Sequence, residues 1–353
     1  MVRSLEIAGR RIAADAEPYV IAELSGNHNG DIERAYAIME AAKAAGADAV
    51  KLQTYTADTI TIEHDGPGFT IEGGLWDGRT LHELYREAHT PWDWHENLFA
   101  KGRELGITVF SSPFDPTAVD FLESLGTPAY KVASFEIVDL PLVERMAATG
   151  KPLIVSTGMA NDTEIGEAVA AVRASGGGDI VLLHCVSSYP APASDSNLLT
   201  IPDLAKRFSV VAGLSDHTLG VAVPIAAVSL GAAVIEKHVT LSRAAGGPDA
   251  AFSLEPDELK EMVEGVRTAW AARGKAGYDR QASERGNVIF RRSLYVVQDV
   301  AAGEPLTAEN VRSIRPGYGL APKHLPDVLG RCAARDLRRG DPLDAAMVEG
   351  FEP

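Results

Sequence analysis

The sequence predicts a (β/α)₈ barrel followed by a small β-rich domain, and three features predict it. Eight short apolar runs lie between Tyr19 and Thr240, each breaking off into polar residues. Stretches of helical periodicity separate most of them. After Gly277 the texture changes to short strand-like segments and turns without amphipathic helices. A barrel takes about 250 residues, so a chain of 353 residues leaves room for one small extra domain. The expected division is 1–277 for the barrel, 278–289 for a polar linker and 290–353 for the second domain.

The eight runs end in Glu23, Gln53, Ser112, Lys131, Ser156, His184, Ser215 and His238. Residues 1–17 read as a hairpin turning at Gly9 and capping the barrel floor. The helices are expected over 32–45, 92–105, 116–125, 140–149, 163–174, 201–208, 222–230 and 256–272. Gly46, Gly106, Gly126, Gly150, Gly231 and Gly274 stand where a helix would end in a left-handed residue. Asp115 before Pro116, and Asp162 before Thr163, are start signals. Residues 54–91 and 186–199 read as long loops, and long loops on the C-terminal face of a barrel shape a pocket or lid.

The charge balance excludes some partners. The formal net charge is −16, and nucleic-acid binding needs a basic face. No apolar stretch of 18 residues suggests a membrane span, and no basic-then-apolar leader opens the chain. Two distant cysteines, Cys185 and Cys332, make no disulfide framework or metal motif. The expectation is a cytoplasmic protein without nucleic-acid or membrane partners.

In a barrel, chemistry sits where strands end. His217 and His238 close the seventh and eighth strands, so their imidazoles should be neighbours. A lone histidine more often satisfies a carbonyl. Two at adjacent strand ends suit a divalent transition metal such as Mn²⁺, with substrate or water completing the shell. Lys51 and Lys131 are either Schiff-base nucleophiles or clamps for a carboxylate or phosphate. The surrounding hydroxyls of Ser111, Ser112, Ser134, Ser156, Thr157 and Ser187 favour an anion. A plain alternative for Lys131 is an ion pair with Glu136. Glu23, Glu136 and Glu236 are candidate acid–base or sugar-binding carboxylates, and His28, within Asn27-His-Asn-Gly30, reads as structural. Trp76, Tyr85, Trp92 and Trp94 are expected to pack the long loop.

The motifs Ala22-Glu-Leu-Ser-Gly-Asn-His-Asn-Gly30, Val50-Lys-Leu-Gln-Thr54, Tyr130-Lys-Val-Ala-Ser134, Val155-Ser-Thr-Gly-Met159, Gly213-Leu-Ser-Asp-His-Thr218 and Glu236-Lys-His-Val-Thr240 resemble the sialic acid synthase family. Phe290-Arg-Arg-Ser-Leu and Ile314-Arg-Pro-Gly317 look like that family's antifreeze-like (SAF) domain. Leu75-Trp-Asp-Gly-Arg79, Glu87-Ala-His-Thr-Pro-Trp-Asp-Trp94 and Val186-Ser-Ser-Tyr-Pro190 resemble its pseudaminic acid branch. Ser187 stands where N-acetylneuraminate synthases usually carry Asn, which argues against N-acetylmannosamine as substrate.

The resemblance implies a condensation of phosphoenolpyruvate with an aminosugar aldehyde, releasing phosphate by C–O cleavage. The acceptor it implies is 2,4-diacetamido-2,4,6-trideoxy-L-altrose. It implies phosphoenolpyruvate binding by Lys51, Ser112, Lys131, Ser134, Ser156 and Ser215, with Ser187 less closely matched. It implies sugar binding by Glu23, Tyr189 and Asp249, and a metal on His217 and His238, with Mn²⁺, Mg²⁺ or Co²⁺ as candidates. Gln53 is a further candidate for substrate binding. The metal or Glu136 would orient the attacking water. Arg315 would reach the barrel of a partner subunit in a domain-swapped homodimer. The rival readings are a legionaminic or N-acetylneuraminic acid synthase, a Schiff-base aldolase and a non-catalytic sugar-binding protein.

Overall fold

The computed structural model describes residues 3–353. The chain divides into two compact units, Met1–Gly274 and Lys275–Pro353.

The first unit is a closed barrel of eight parallel strands. After an N-terminal hairpin of β1 (Ser4–Ile7) and β2 (Arg10–Ala13), they run β3 (Tyr19–Glu23), β4 (Ala49–Thr54), β5 (Thr108–Pro113), β6 (Tyr130–Val132), β7 (Leu153–Ser156), β8 (Ile180–Cys185), β9 (Val211–Asp216) and β10 (Val234–His238). Each pairs with its sequence neighbours, and β10 pairs with β3 to close the ring. The apolar runs are strands buried on both faces, as parallel strands under a helical shell must be. The hairpin turns through Ala8 and Gly9, both with positive φ. Its Leu5, Ile7 and Ile12 join Tyr19, Phe110 and Ile154 in one core cluster inside the barrel.

The outer helices bury their inner faces in a second, larger cluster. They are α1 (Ile32–Ala45), α4 (His95–Leu105), α5 (Pro116–Ser124), α6 (Leu140–Ala147), α7 (Asp162–Ala174), α8 (Thr200–Phe208), α9 (Ala222–Ser229) and α10 (Pro256–Arg273), with α2 (Ala57–Ile60) and α3 (Leu81–Ala88) inserted after β4. Asp31 caps α1 by accepting from the Glu33 amide, and Asp115 caps α5 ahead of Pro116. The start of α7 differs from the expectation. Asn161 is the cap, accepting from Thr163 and Glu164, and Asp162 is the first helical residue. The six expected terminal glycines all have positive φ. The 54–91 segment also differs from a plain loop, because Thr80 and Glu83 form a capping box that starts α3.

The second unit is β-rich. β11 (Ser293–Val296) pairs antiparallel with β12 (Val311–Ile314), and isolated bridges such as Val300 with Leu337 extend the pairing. Leu294, Val296, Val311, Leu337 and Leu343 are in its core. One short helix, α11 (Leu325–Val328), lies in it. The polar stretch before it carries 3₁₀ turns over Ala282–Phe290.

Gly213 in β9 is required by close approach. A Cβ there would overlap the Val234 carbonyl oxygen and the Leu183 side chain. Gly213→Ala is expected to destabilise the barrel by about 1–3 kcal/mol, read as a lower midpoint in urea unfolding. An unchanged midpoint would contradict the packing described.

Candidate functional site

Strand register brings the polar ends together at one level of the barrel. Glu23 pairs with Lys51 and with His238, Gln53 with Ser112, and Glu236 with Ser215. Lys51, Gln53, Lys131, Ser134, Glu136, Ser156, Ser187, Tyr189, Ser215, Glu236, His217, His238 and Asp249 line one cavity of about 540 Å³. Glu23 and Ser112 are fully buried. Glu23 is tied to this group by Lys51 Nζ at 2.8 Å and by the Gln53 amide at 2.9 Å. Arg315 belongs to the second unit and is exposed there.

The cavity holds a buried charge cluster. Lys51 Nζ also lies 3.4 Å from Glu236, and Lys131 Nζ lies 3.9 Å from the same carboxylate. Lys131 donates to the Val132 carbonyl at 2.9 Å. The Lys131–Glu136 ion pair that the sequence allowed is replaced by this contact with Glu236. Burial pushes Lys131 down to about 8, with Glu236 opposing. Against burial, Glu23 and Glu236 hold Lys51 above its ordinary range. Burial pushes Glu23 up, and Glu236 adds to that, although Lys51 pulls the other way. Against burial, Lys131 and Lys51 hold Glu236 below the usual carboxylate range. Two carboxylates thus share the Lys51 ammonium, and the one that also faces Lys131 is held the lower of the two. Glu136 stands apart and is pushed up to about 7 by burial, with Lys131 opposing.

Several buried polar atoms have no protein partner: the hydroxyls of Ser112, Ser156 and Ser187, one oxygen of Glu136 and one of Glu236, and His238 Nδ1. A buried unpaired polar group is costly, so this concentration marks a place for a polar ligand. Gly158 leaves room there for two hydroxyls: its amide donates to Ser134 Oγ at 3.2 Å, and a Cβ would overlap the hydroxyls of Ser187 and Ser134.

The two imidazoles have ring centroids 5.4 Å apart. His217 Nδ1 lies 3.0 Å from the Val186 carbonyl, so Nδ1–H donates there and Nε2 is left as a lone-pair donor. His238 is buried and held well below its ordinary range by desolvation, with His217 and Lys51 adding, so it is neutral. A neutral imidazole with an unpartnered nitrogen fits a metal ligand. Among the described residues no three His, Cys, Asp or Glu side chains form a metal-binding group, so the donor set here is two imidazoles, and other positions would fall to substrate or water.

His28 is structural, as the sequence suggested. It is buried, its Nδ1 accepts from the Gly30 amide at 3.0 Å, and its ring meets Trp94 edge-on.

Sequence reasoning missed two features. Lys237, between Glu236 and His238, points away from the cavity side and is fully buried. Its Nζ donates to Asp216 at 2.5 Å and to the Thr218 carbonyl, while Asp216 accepts from the Thr218 hydroxyl. The alternation of strand side chains could have signalled that Lys237 and Asp216 share an outward face. The aromatic group was also only half read. Trp76 and Tyr85 line the cavity, and Trp76 Nε1 donates to the Pro248 carbonyl at 2.9 Å, beside Asp249.

Residues 38–278 match the NeuB family. The chain belongs to that family. Residues 291–349 match the SAF domain, so the family resemblance and the fold read from the sequence both hold. A pseudaminic acid synthase of Helicobacter pylori is 44% identical over 94% of this chain and 98% of its own length. One of Campylobacter jejuni is 45% identical over 93% and 96%. The crystal structure of an N-acetylneuraminic acid synthetase from Leptospira borgpetersenii matches with a TM-score of 0.73 and 30% identity, over 82% of this chain and 96% of that one. No helix among the described residues is long and apolar enough to cross a membrane.

Lys237→Met would leave Asp216 buried without its cation, and is expected to cost about 3–5 kcal/mol of stability. Adding Asp216→Leu should recover most of that in urea unfolding. A double variant no more stable than the single one would contradict a buried pair.

Proposed function

We propose that the chain is a metal-dependent pseudaminic acid synthase, condensing phosphoenolpyruvate with 2,4-diacetamido-2,4,6-trideoxy-L-altrose. The observation that carries this is the cavity itself: two buried lysines and unpartnered serine hydroxyls beside two neighbouring imidazoles. The identity to named pseudaminic acid synthases supports the choice of sugar.

Lys51 and Lys131 hold the carboxylate and phosphate of phosphoenolpyruvate, with Ser112, Ser134, Ser156, Ser187 and Ser215 fixing its orientation. Glu23, Gln53, Tyr189 and Asp249 hold the open-chain sugar. A divalent metal on His217 and His238, with Mn²⁺, Mg²⁺ or Co²⁺ as candidates, supplies Lewis-acid polarisation of the aldehyde oxygen when bound. C3 of phosphoenolpyruvate forms the new bond to the aldehyde carbon with the C2=C3 π pair, leaving positive charge at C2, while the aldehyde C=O π pair moves to its oxygen, which becomes a hydroxyl with the proton that Glu136 returns. Water adds at C2 and gives a proton to Glu136, whose raised range suits it to take a proton near neutrality and return it. The C2–O bond to phosphate then breaks, phosphate leaves with the bonding pair and takes the C2 hydroxyl proton, and C2 becomes the keto carbon. Arg315, supplied by the SAF domain of a partner subunit, adds positive charge at the mouth, which makes a domain-swapped homodimer the working form in the cytoplasm. A Schiff base on Lys51 fits less well, because Lys51 is held protonated by two carboxylates.

Phosphate release from phosphoenolpyruvate should require this sugar and Mn²⁺, and should stop in EDTA. His238→Ala should lower turnover by more than the roughly 10–100-fold seen on losing an outer-shell partner of a metal site. Release with N-acetylmannosamine alone would move the chain to another branch, and no release with any precursor would overturn the reading.

The pH profile follows from Glu136. Below about 7 its carboxyl is neutral in the folded protein and cannot accept a proton, so kcat/KM should rise with pH up to that region. Glu136→Gln should remove this rising limb. A profile identical to the parent's would exclude Glu136 as the proton acceptor.

A further inference from the structure

The cavity has two chemically different sides. The strand ends supply lysines, carboxylates and hydroxyls. The 54–91 segment supplies Ile60, Ile71, Leu81 and Leu84 with Trp76 and the phenols Tyr55 and Tyr85, and nothing charged. That side is a built wall. Ile60 ends α2, which starts in a capping box of Thr56 and Thr59. Leu81 and Leu84 lie on α3 behind its own capping box. Ile71 is held in backbone pairing, its amide donating to the Arg79 carbonyl at 2.9 Å and its carbonyl accepting from Gly78 at 2.9 Å. The Tyr55 ring is fixed edge-on between Tyr85 and Phe114, at 5.7 Å and 5.1 Å. Trp76 is tied to the Pro248 carbonyl.

An ordinary hexose carries a hydroxyl on nearly every carbon. Pressed against aliphatic side chains, such a hydroxyl loses water and gains no partner. A methyl group in the same place gains burial. We infer that the 54–91 wall selects the acceptor by the methyl groups at its far end, the C6 methyl and the C4 acetamido methyl, while the polar strand ends hold its aldehyde end. This rests on the function proposed above and extends it, because it assigns recognition of the deoxy and N-acetyl positions to a segment that carries no catalytic group. An apolar pocket separates such analogues by about 10–200-fold, so the preference it confers is expected in that range.

The test compares kcat/KM for the trideoxy diacetamido sugar with that for its 6-hydroxy and its 4-N-formyl counterparts, in the parent enzyme and in Ile60→Ser/Ile71→Ser. Both isoleucines are half-buried, so the change spares the closed core. The double variant should narrow the preference at least fivefold for one of the two counterparts, with KM for phosphoenolpyruvate within twofold of the parent's. Ile60→Val/Ile71→Val should restore the parent's preference. Where the serine variant turns over too slowly, calorimetric affinities for the same three sugars read the same ratio. A parent enzyme active on the trideoxy sugar, whose preference stays unchanged in the serine variant for both counterparts, overturns the wall alone. A parent enzyme silent on every sugar overturns the proposed function with it.

Discussion

The structure depends on holding two ammonium groups inside the mouth of a protein barrel. Burying a charge is costly unless it is paired, and Lys51 and Lys131 are both buried. The pairing comes from Glu23 and Glu236, one on each of the two strands that close the ring. Parallel register makes this possible, because Glu23, Lys51 and His238 stand on adjacent strands at one height. Outside the barrel wall, Lys237 and Asp216 form a second buried pair between β10 and its other neighbour, β9. The two pairs fix the strand ends from both sides, so the side chains that face the cavity are held by others that do not.

The same constraint explains the unpartnered serines. A cluster with two carboxylates against two ammoniums has little net charge of its own, and a dianion entering it must find further donors. Ser156 and Ser187 lie on the cavity with free hydroxyls, and Ser134 and Ser187 both reach into the space that a Cβ on Gly158 would fill. Donors fixed before the ligand arrives need no reorganisation, which suits the phosphoenolpyruvate cradle proposed for them.

The strand ends were legible because a parallel strand must be apolar to its last turn, and the barrel gathers the polar residues after it at one mouth. Helices were legible to within a few residues, since caps and terminal glycines mark them. The features that escaped depend on partners distant in sequence. Lys131 could have paired with Glu136 by proximity along the chain, yet faces Glu236, more than a hundred residues away, because the ring closes through β10. Lys237 and Asp216 drew no reading from the sequence, and only the outward half of the strand alternation gives them to each other. The 54–91 segment read as a loop because its helices are one or two turns long and take their stability from capping boxes and aromatic contacts. Asp162 and Asn161 are both good caps, and the backbone of Asn161, not its chemistry alone, decides between them.

The central claim is that Lys131 is a buried, weakened base that an anion recharges. Titration calorimetry with phosphoenolpyruvate at pH 8, in buffers of different ionisation enthalpy, measures this directly. With Lys131 pushed down to about 8, part of the protein lacks that proton before binding at this pH, and an adjacent dianion restores it. The account predicts net proton uptake on binding at that pH, reduced in Lys131→Gln together with most of the affinity. Binding without proton uptake, or with equal affinity in Lys131→Gln, would contradict it.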